Sequence, residues 1–142
     1  MDEGAYMAIP LEITVSDHQA ASVVALAGEL DIATGDVLRG TIEDLIQRGR
    51  TKLVVDASVL QFCDSYGLEA LLEMHDALKD VGGSMCLAGV HGVLRLVLDV
   101  TGTDTFTIKQ TPAEALADVL VAPARDTASN ERRKKSALSS LV

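Results

Sequence analysis

The chain has no tryptophan and only two phenylalanines and two tyrosines among its 142 residues. Since 48% of the residues are nonetheless apolar, the core has to be assembled from Ala, Val, Leu and Ile, which suits a small α/β protein better than a β-sandwich. No window approaches the roughly 18 uninterrupted apolar residues that a membrane-spanning helix needs. The opening stretch MDEGAYMAIP carries acids where a secretory signal carries bases. These absences predict a cytoplasmic protein that does not meet a membrane. Cysteine is equally sparse. Cys63 and Cys86 lie in apolar surroundings, outside any C-x-x-C pair and without histidines at metal-binding spacing, so they read as buried free thiols.

Phosphate-binding loops are missing too. There is no G-x-x-x-x-G-K-[ST] and no G-x-G-x-x-G; VGGS and AGVHG lack the lysine or the spacing that would bring backbone amides onto a phosphate chain. The chain is therefore expected to bind no nucleotide or other cofactor of its own. Basic charge is scarce outside one place. Residues 124–142 hold five basic and two acidic residues, +3, which leaves seven basic and nineteen acidic, −12, on the remainder. A body this acidic repels nucleic acid and is drawn to basic protein surfaces. The RRKK run of the tail reads as a solvated terminal segment. The domain is expected to span residues 1–123 and the basic, disordered tail residues 124–142.

What is present is a regular alternation of elements. LEITVSD (11–17) alternates apolar and polar residues and ASVVALAGELD (21–31) is a longer apolar run, the marks of an antiparallel hairpin. Thr34 precedes Gly35 and Asp36, an N-cap followed by an acid in the first turn, and Val37, Leu38, Thr41, Ile42, Leu45 and Ile46 recur at helical spacing up to Gly49. TKLVVDASVL (51–60) contains an apolar run without alternation, as a strand covered on both faces does. A helix follows in which Leu68, Leu71, Leu72, His75 and Leu78 line one face and Glu69, Glu73, Asp76 and Asp80 the other, ending at VGG. SMCLAGV (84–90) reads as a strand, HGVLRLVLDVTG (91–102) as a helix ended by Gly102, and TFTIKQ (105–110) as an edge strand. Thr111, Pro112 and Glu114 make a capping box with proline at the first helical position, opening a fourth helix through about Leu120. The order ββαβαβαβα predicts an α/β fold: a small mixed sheet, with an antiparallel N-terminal hairpin, parallel strands joined by right-handed crossovers, and about four helices.

The chemistry concentrates in QFCDSYGLEALLE (61–73), where Asp64, Ser65 and Gly67 stand between a buried strand and a helix. A nucleophile elbow needs small residues on both sides of the serine, and Cys63 occupies the first glycine position. Triad partners are hard to find: His18 falls in a turn, His75 continues an apolar helix face, and His91 opens a distant helix. Asp31, Asp56 and Asp64 can be drawn as a magnesium cluster, but turn-capping accounts for Asp56 and Asp64 more simply. Two readings of Ser65 remain. It is a helix cap, or it is itself a substrate, since a helix N-terminus favours an added phosphate.

GELD, Thr34, VVDASVLQFCDSYGL and VGGSMCLAGV together resemble the STAS domain family, especially bacterial anti-sigma factor antagonists of the partner-switching type, over roughly residues 11–120. The resemblance implies a small mixed sheet with helices packed on it and a phosphorylatable serine directly after the aspartate, here Ser65. It implies a non-enzymatic switch. The unmodified antagonist binds an anti-sigma factor that is also a serine kinase, releasing a sigma factor; the kinase phosphorylates it and lets go; a serine phosphatase resets it. ATP and magnesium belong to the kinase. Asp31 and Thr34 match family positions near the same surface and join Asp64, Tyr66, Gly67, Glu69 and Glu73 as candidate partner-binding residues. Many relatives carry D-S-S-G where this chain has Tyr66, and the tail after residue 123 lies outside the shared pattern. The rival readings are a stressosome-type scaffold, an accessory subunit of a lipid or anion transporter and, as an enzyme, a small hydrolase.

Overall fold

A computed structural model describes residues 10–101 and 105–121. Five strands form one sheet in the order β1-β2-β3-β4-β5: β1 (Glu12–His18), β2 (Ala21–Leu30), β3 (Lys52–Cys63), β4 (Ser84–Ala88) and β5 (Thr107–Lys109). β1 is antiparallel to β2, and every later neighbour is parallel. Helices α1 (Gly35–Gln47), α2 (Ser65–Asp80) and α3 (Gly92–Thr101) connect the parallel strands, and a fourth, α4, covers residues 112–121. This is the mixed α/β architecture expected from the alternation. The tail assigned to residues 124–142, and Gly102 as the stop of α3, lie outside the described residues.

The unpatterned apolar run of β3 is explained by two buried faces. Leu53 and Val55 join Val24, Leu26, Met85 and Leu87 beneath α1, α2 and α3, which contribute Leu38, Ile42, Leu45, Leu71, Leu78, Leu94 and Leu98. Val54 points the other way, joining Val23, Cys86 and Ala88 under Ala115 and Val119 of α4. The side-chain period of two on each strand thus feeds two cores of unequal size. The capping box of α4 is formed: the Glu114 amide donates to Thr111 Oγ1 at 3.2 Å and the Gln110 amide to Glu114 Oε1 at 3.1 Å.

Three elements differ from expectation. β3 runs on to Cys63, because register shifts against β2 between Ala25 and Ala27 and between Gly28 and Glu29 let the two strands stay paired as far as Leu30 and Cys63. β5 is three residues long, since Phe106 is buried ahead of it and only Thr107–Lys109 pairs with β4. The first hairpin is fastened by a residue outside it. The Arg50 guanidinium reaches the carbonyls of Gln19 (3.1 Å) and Ala21 (2.7 Å), Ser22 Oγ (3.0 Å) and the Asp17 carboxylate (3.4 Å).

The arrangement has one consequence for the site. β4 pairs with β3 only over Lys52–Asp56, so β3, still paired with β2, continues past the end of β4 and delivers the 61–67 segment to the top of the sheet, beside the end of β2.

Candidate functional site

Two turns meet at that end of the sheet. The first follows β3, where Asp64 adopts an extended backbone (φ −96°, ψ −172°) and its carboxylate accepts from the Gly67 amide at 2.8 Å. Asp64 is therefore the N-cap of α2, and Ser65 is the first helical residue. Of the two readings of the serine, the cap belongs to its neighbour. Ser65 is exposed, and its hydroxyl has no hydrogen-bond partner among the described residues. Tyr66, 52% exposed, stands beside it without burying it.

The second turn follows β2. Asp31 accepts, at one carboxylate oxygen, from the amides of Ala33 (3.0 Å) and Thr34 (3.1 Å), and the Thr34 hydroxyl lies 3.1 Å from the same oxygen. That hydroxyl accepts from the Asp31 amide at 2.9 Å and shares its single proton with the Glu29 carbonyl at 2.8 Å. Thr34 sits at the N-cap position of α1 but makes no side-chain cap. Its oxygen turns back to the strand end instead, because the carboxylate of Asp31 and the carbonyl of Glu29 both lie on that side.

Leu30 joins the two turns. Its carbonyl accepts from the Asp64 amide at 3.2 Å, and a Cβ placed on Gly67 would come within 2.3 Å of the same oxygen. α1 then lies close along α2: a Cβ on Gly35 would be 3.6 Å from that of Ala70. Arg39 Nε meets Glu73 at 2.5 Å while its Nη1 binds Asp36 at 2.9 Å. The proposed acidic face of α2 is thus divided. Glu69 is exposed and has no ion pair among the described residues, whereas Glu73 is already engaged by α1. The Leu30 carbonyl, Gly35 and Arg39 escaped sequence reasoning; a glycine three residues after an aspartate cap was the available signal for the close approach.

The other candidate chemistries find no matching constellation. Asp56 accepts from the Ser58 amide (3.0 Å) and hydroxyl (2.5 Å) inside β3, where the register against β2 shifts, so the turn expected after Asp56 is an irregularity within a continuous strand. No group of three potential metal ligands converges among the described residues. His18 contacts Ser16 at 2.9 Å; His75 is buried edge-on against Phe106, ring centroids 5.3 Å apart, and lies ten residues along α2 from Ser65, about 15 Å at the rise of a helix. Both cysteines are buried and free, with burial pushing the Cys63 thiol up to about 12 and the Cys86 thiol to about 11. Among the described residues no helix is long and apolar enough to cross a membrane.

A mixed five-stranded sheet whose strand ends present a capped turn and an open serine defines a small α/β domain. The family model described as Mlab, STAS domain, matches residues 13–111, and the chain belongs to the STAS domain family. An anti-sigma F factor antagonist of Paenibacillus polymyxa is 33% identical over 93 residues, 65% of this chain and 80% of the relative. The crystal structure of an anti-sigma factor antagonist from Mycobacterium paratuberculosis superposes with a TM-score of 0.71 at 28% identity, covering 80% of this chain and 98% of the other. The structure of the Bacillus cell fate determinant SpoIIAA in its phosphorylated form superposes with a TM-score of 0.63 at 25% identity, covering 76% of this chain and 99% of the other.

Proposed function

We propose that this protein is an anti-sigma factor antagonist, switched off by phosphorylation of Ser65. In its unmodified form it docks on an anti-sigma factor that is also a serine kinase and so frees a sigma factor; a serine phosphatase restores it after modification. The observation that carries the proposal is the Ser65 hydroxyl, exposed and unbonded at the first residue of α2. A phosphate there faces the free amides and positive end of the helix, favourable by roughly 0.3–1 kcal/mol for an exposed group, so the fold tolerates it. It also adds about −1.5 to −2 charges beside Asp64. A complex formed with Asp31, Thr34, Asp64, Tyr66, Glu69 and Glu73 in its contact surface, with Gly67 buried beneath it against Leu30 and not in contact as the sequence suggested, then loses both fit and charge balance. ATP and magnesium are held by the kinase, and the chain itself performs no chemistry. The names of the relatives support the role, and the acidic body supports rapid encounter with a basic kinase surface.

Titration calorimetry of the Ser65→Ala and Ser65→Glu variants against the cognate kinase with ADP present tests the proposal. Ser65→Ala is expected to bind persistently and Ser65→Glu at least tenfold more weakly. Equal affinities for the two would defeat the mechanism.

A further inference from the structure

Beyond Asp56 one edge of β3 has no strand beside it. β4 ends at Ala88, opposite Asp56, while β3 stays paired with β2 as far as Cys63. The chain leaves the sheet at Gly89, where φ is 68° and a Cβ would come within 2.2 Å of Ser58 Oγ, and Gly92, at φ 60°, turns it again into α3. The place a longer β4 would fill beside Leu60–Cys63 is thereby left as a groove of about 170 Å³ between β3 and the start of α3. Phe62 and Val93, 42% and 53% exposed, come from its two walls, and the buried Leu60 and Leu94 close it below.

A strand edge without a neighbour fits one kind of partner, another extended backbone whose N–H and C=O groups continue the ladder. Among the described residues no backbone hydrogen bond reaches Val59–Cys63 from the side of α3. Small-molecule sites begin at about 300 Å³, so a groove of this size takes a side chain of such a strand rather than a cofactor. The edge also leads into the switch. Ser65 follows Cys63 by two residues, so a strand laid along Leu60–Cys63 ends beside the turn that carries the exposed hydroxyl. The charge of −12 on the body favours basic residues at the flanks of that strand.

We infer that the free edge of β3 at Leu60–Cys63 takes up, by strand addition, an extended segment of the same anti-sigma factor that docks at Ser65. An apolar side chain of that segment enters between Phe62 and Val93, and basic residues flank it. The inference rests on the reading of Ser65 given above and extends its docking surface along the strand. Because the added strand is continuous with the contact at Ser65, a phosphate there releases both.

Residue-resolved amide hydrogen exchange of the full chain, free and with the cognate kinase and ADP, tests this together with calorimetry of variants. At the amides of residues 59–63 that do not face β2, exchange is expected to slow about tenfold or more in the complex. Phe62→Lys and Val93→Arg are each expected to weaken binding about tenfold or more. Val100→Arg, two turns further along α3, is expected to bind as the native chain does, with circular dichroism melts showing all three variants folded. Unchanged exchange at those amides in a complex that forms, or native affinity in both Phe62→Lys and Val93→Arg, would overturn the inference while a contrast between Ser65→Ala and Ser65→Glu keeps the switch standing. Loss of that contrast removes both. Slow exchange at those amides already in the free chain overturns the inference as well, assigning the edge to a second copy if it grows with concentration and to another segment of this chain if it does not.

Discussion

A Cβ added to Gly67 would lie 2.3 Å from the carbonyl oxygen of Leu30 and 2.9 Å from its carbonyl carbon. The start of α2 thus rests directly on the end of β2, and the spacing between the two turns is set by the absence of a side chain.

Gly67→Ala is expected to lower stability by about 2–3 kcal/mol, since backbone cannot give way as a side chain does. Gly40, also helical, has nothing within 4 Å of its virtual Cβ. Gly40→Ala is expected to raise stability by about 0.5–1 kcal/mol through reduced unfolded-state freedom. Urea unfolding of both variants checks the contrast, and a Gly67→Ala variant as stable as the native chain would show that the turns can separate freely.

Asp64 caps α2 through its carboxylate, so Asp64→Ala is expected to cost about 0.5–2 kcal/mol, while Asp64→Asn, which keeps an acceptor oxygen, stays within a few tenths. Ser65→Ala removes a hydroxyl that holds nothing in the described structure and should leave the denaturation midpoint unchanged. A loss on Ser65→Ala equal to that on Asp64→Ala would place the cap on the wrong residue.

Burial holds the Cys63 thiol at about 12 and the Cys86 thiol at about 11, above the ordinary value of 9.0. Desolvation is the larger cause for both, with the Asp64 charge adding to it at Cys63 and that of Asp118 at Cys86. The unfolded chain therefore releases these protons first. Their contribution to stability is whole below pH 9 and is lost as the pH rises from there towards 11–12. Thiol labelling at pH 8 is expected to be slow in the native protein and rapid in denaturant, and the urea midpoint to fall between pH 8.5 and 10.5. In a Cys63→Ala, Cys86→Ala variant that fall should shrink; an undiminished fall would assign it to other groups.

Much of the fold was legible because local chemistry and global architecture agree. Thr111, Pro112 and Glu114 spell a helix start that the structure builds, and the unalternating Leu53, Val54 and Val55 announce a strand covered on both sides. The errors arise where tertiary pairing decides. β3 is carried to Cys63 by shifts in register that no periodicity displays, and β5 is trimmed because only three residues find β4. Thr34 has the right identity for a cap, but a nearby carboxylate and carbonyl compete for its hydroxyl. At the site, the serine and its aspartate stood out from the residue types alone. The Leu30 carbonyl and Arg39 did not, since a backbone oxygen carries no sequence signal and a single arginine on a helix reads as solvated.

The loop from Asp31 to Thr34 spends its polar groups on itself, with one carboxylate oxygen serving three neighbours. If partners dock at this end of the sheet as proposed, they meet a contour already held by its own hydrogen bonds, so little freedom is surrendered on docking and competing partners differ chiefly in how long they stay.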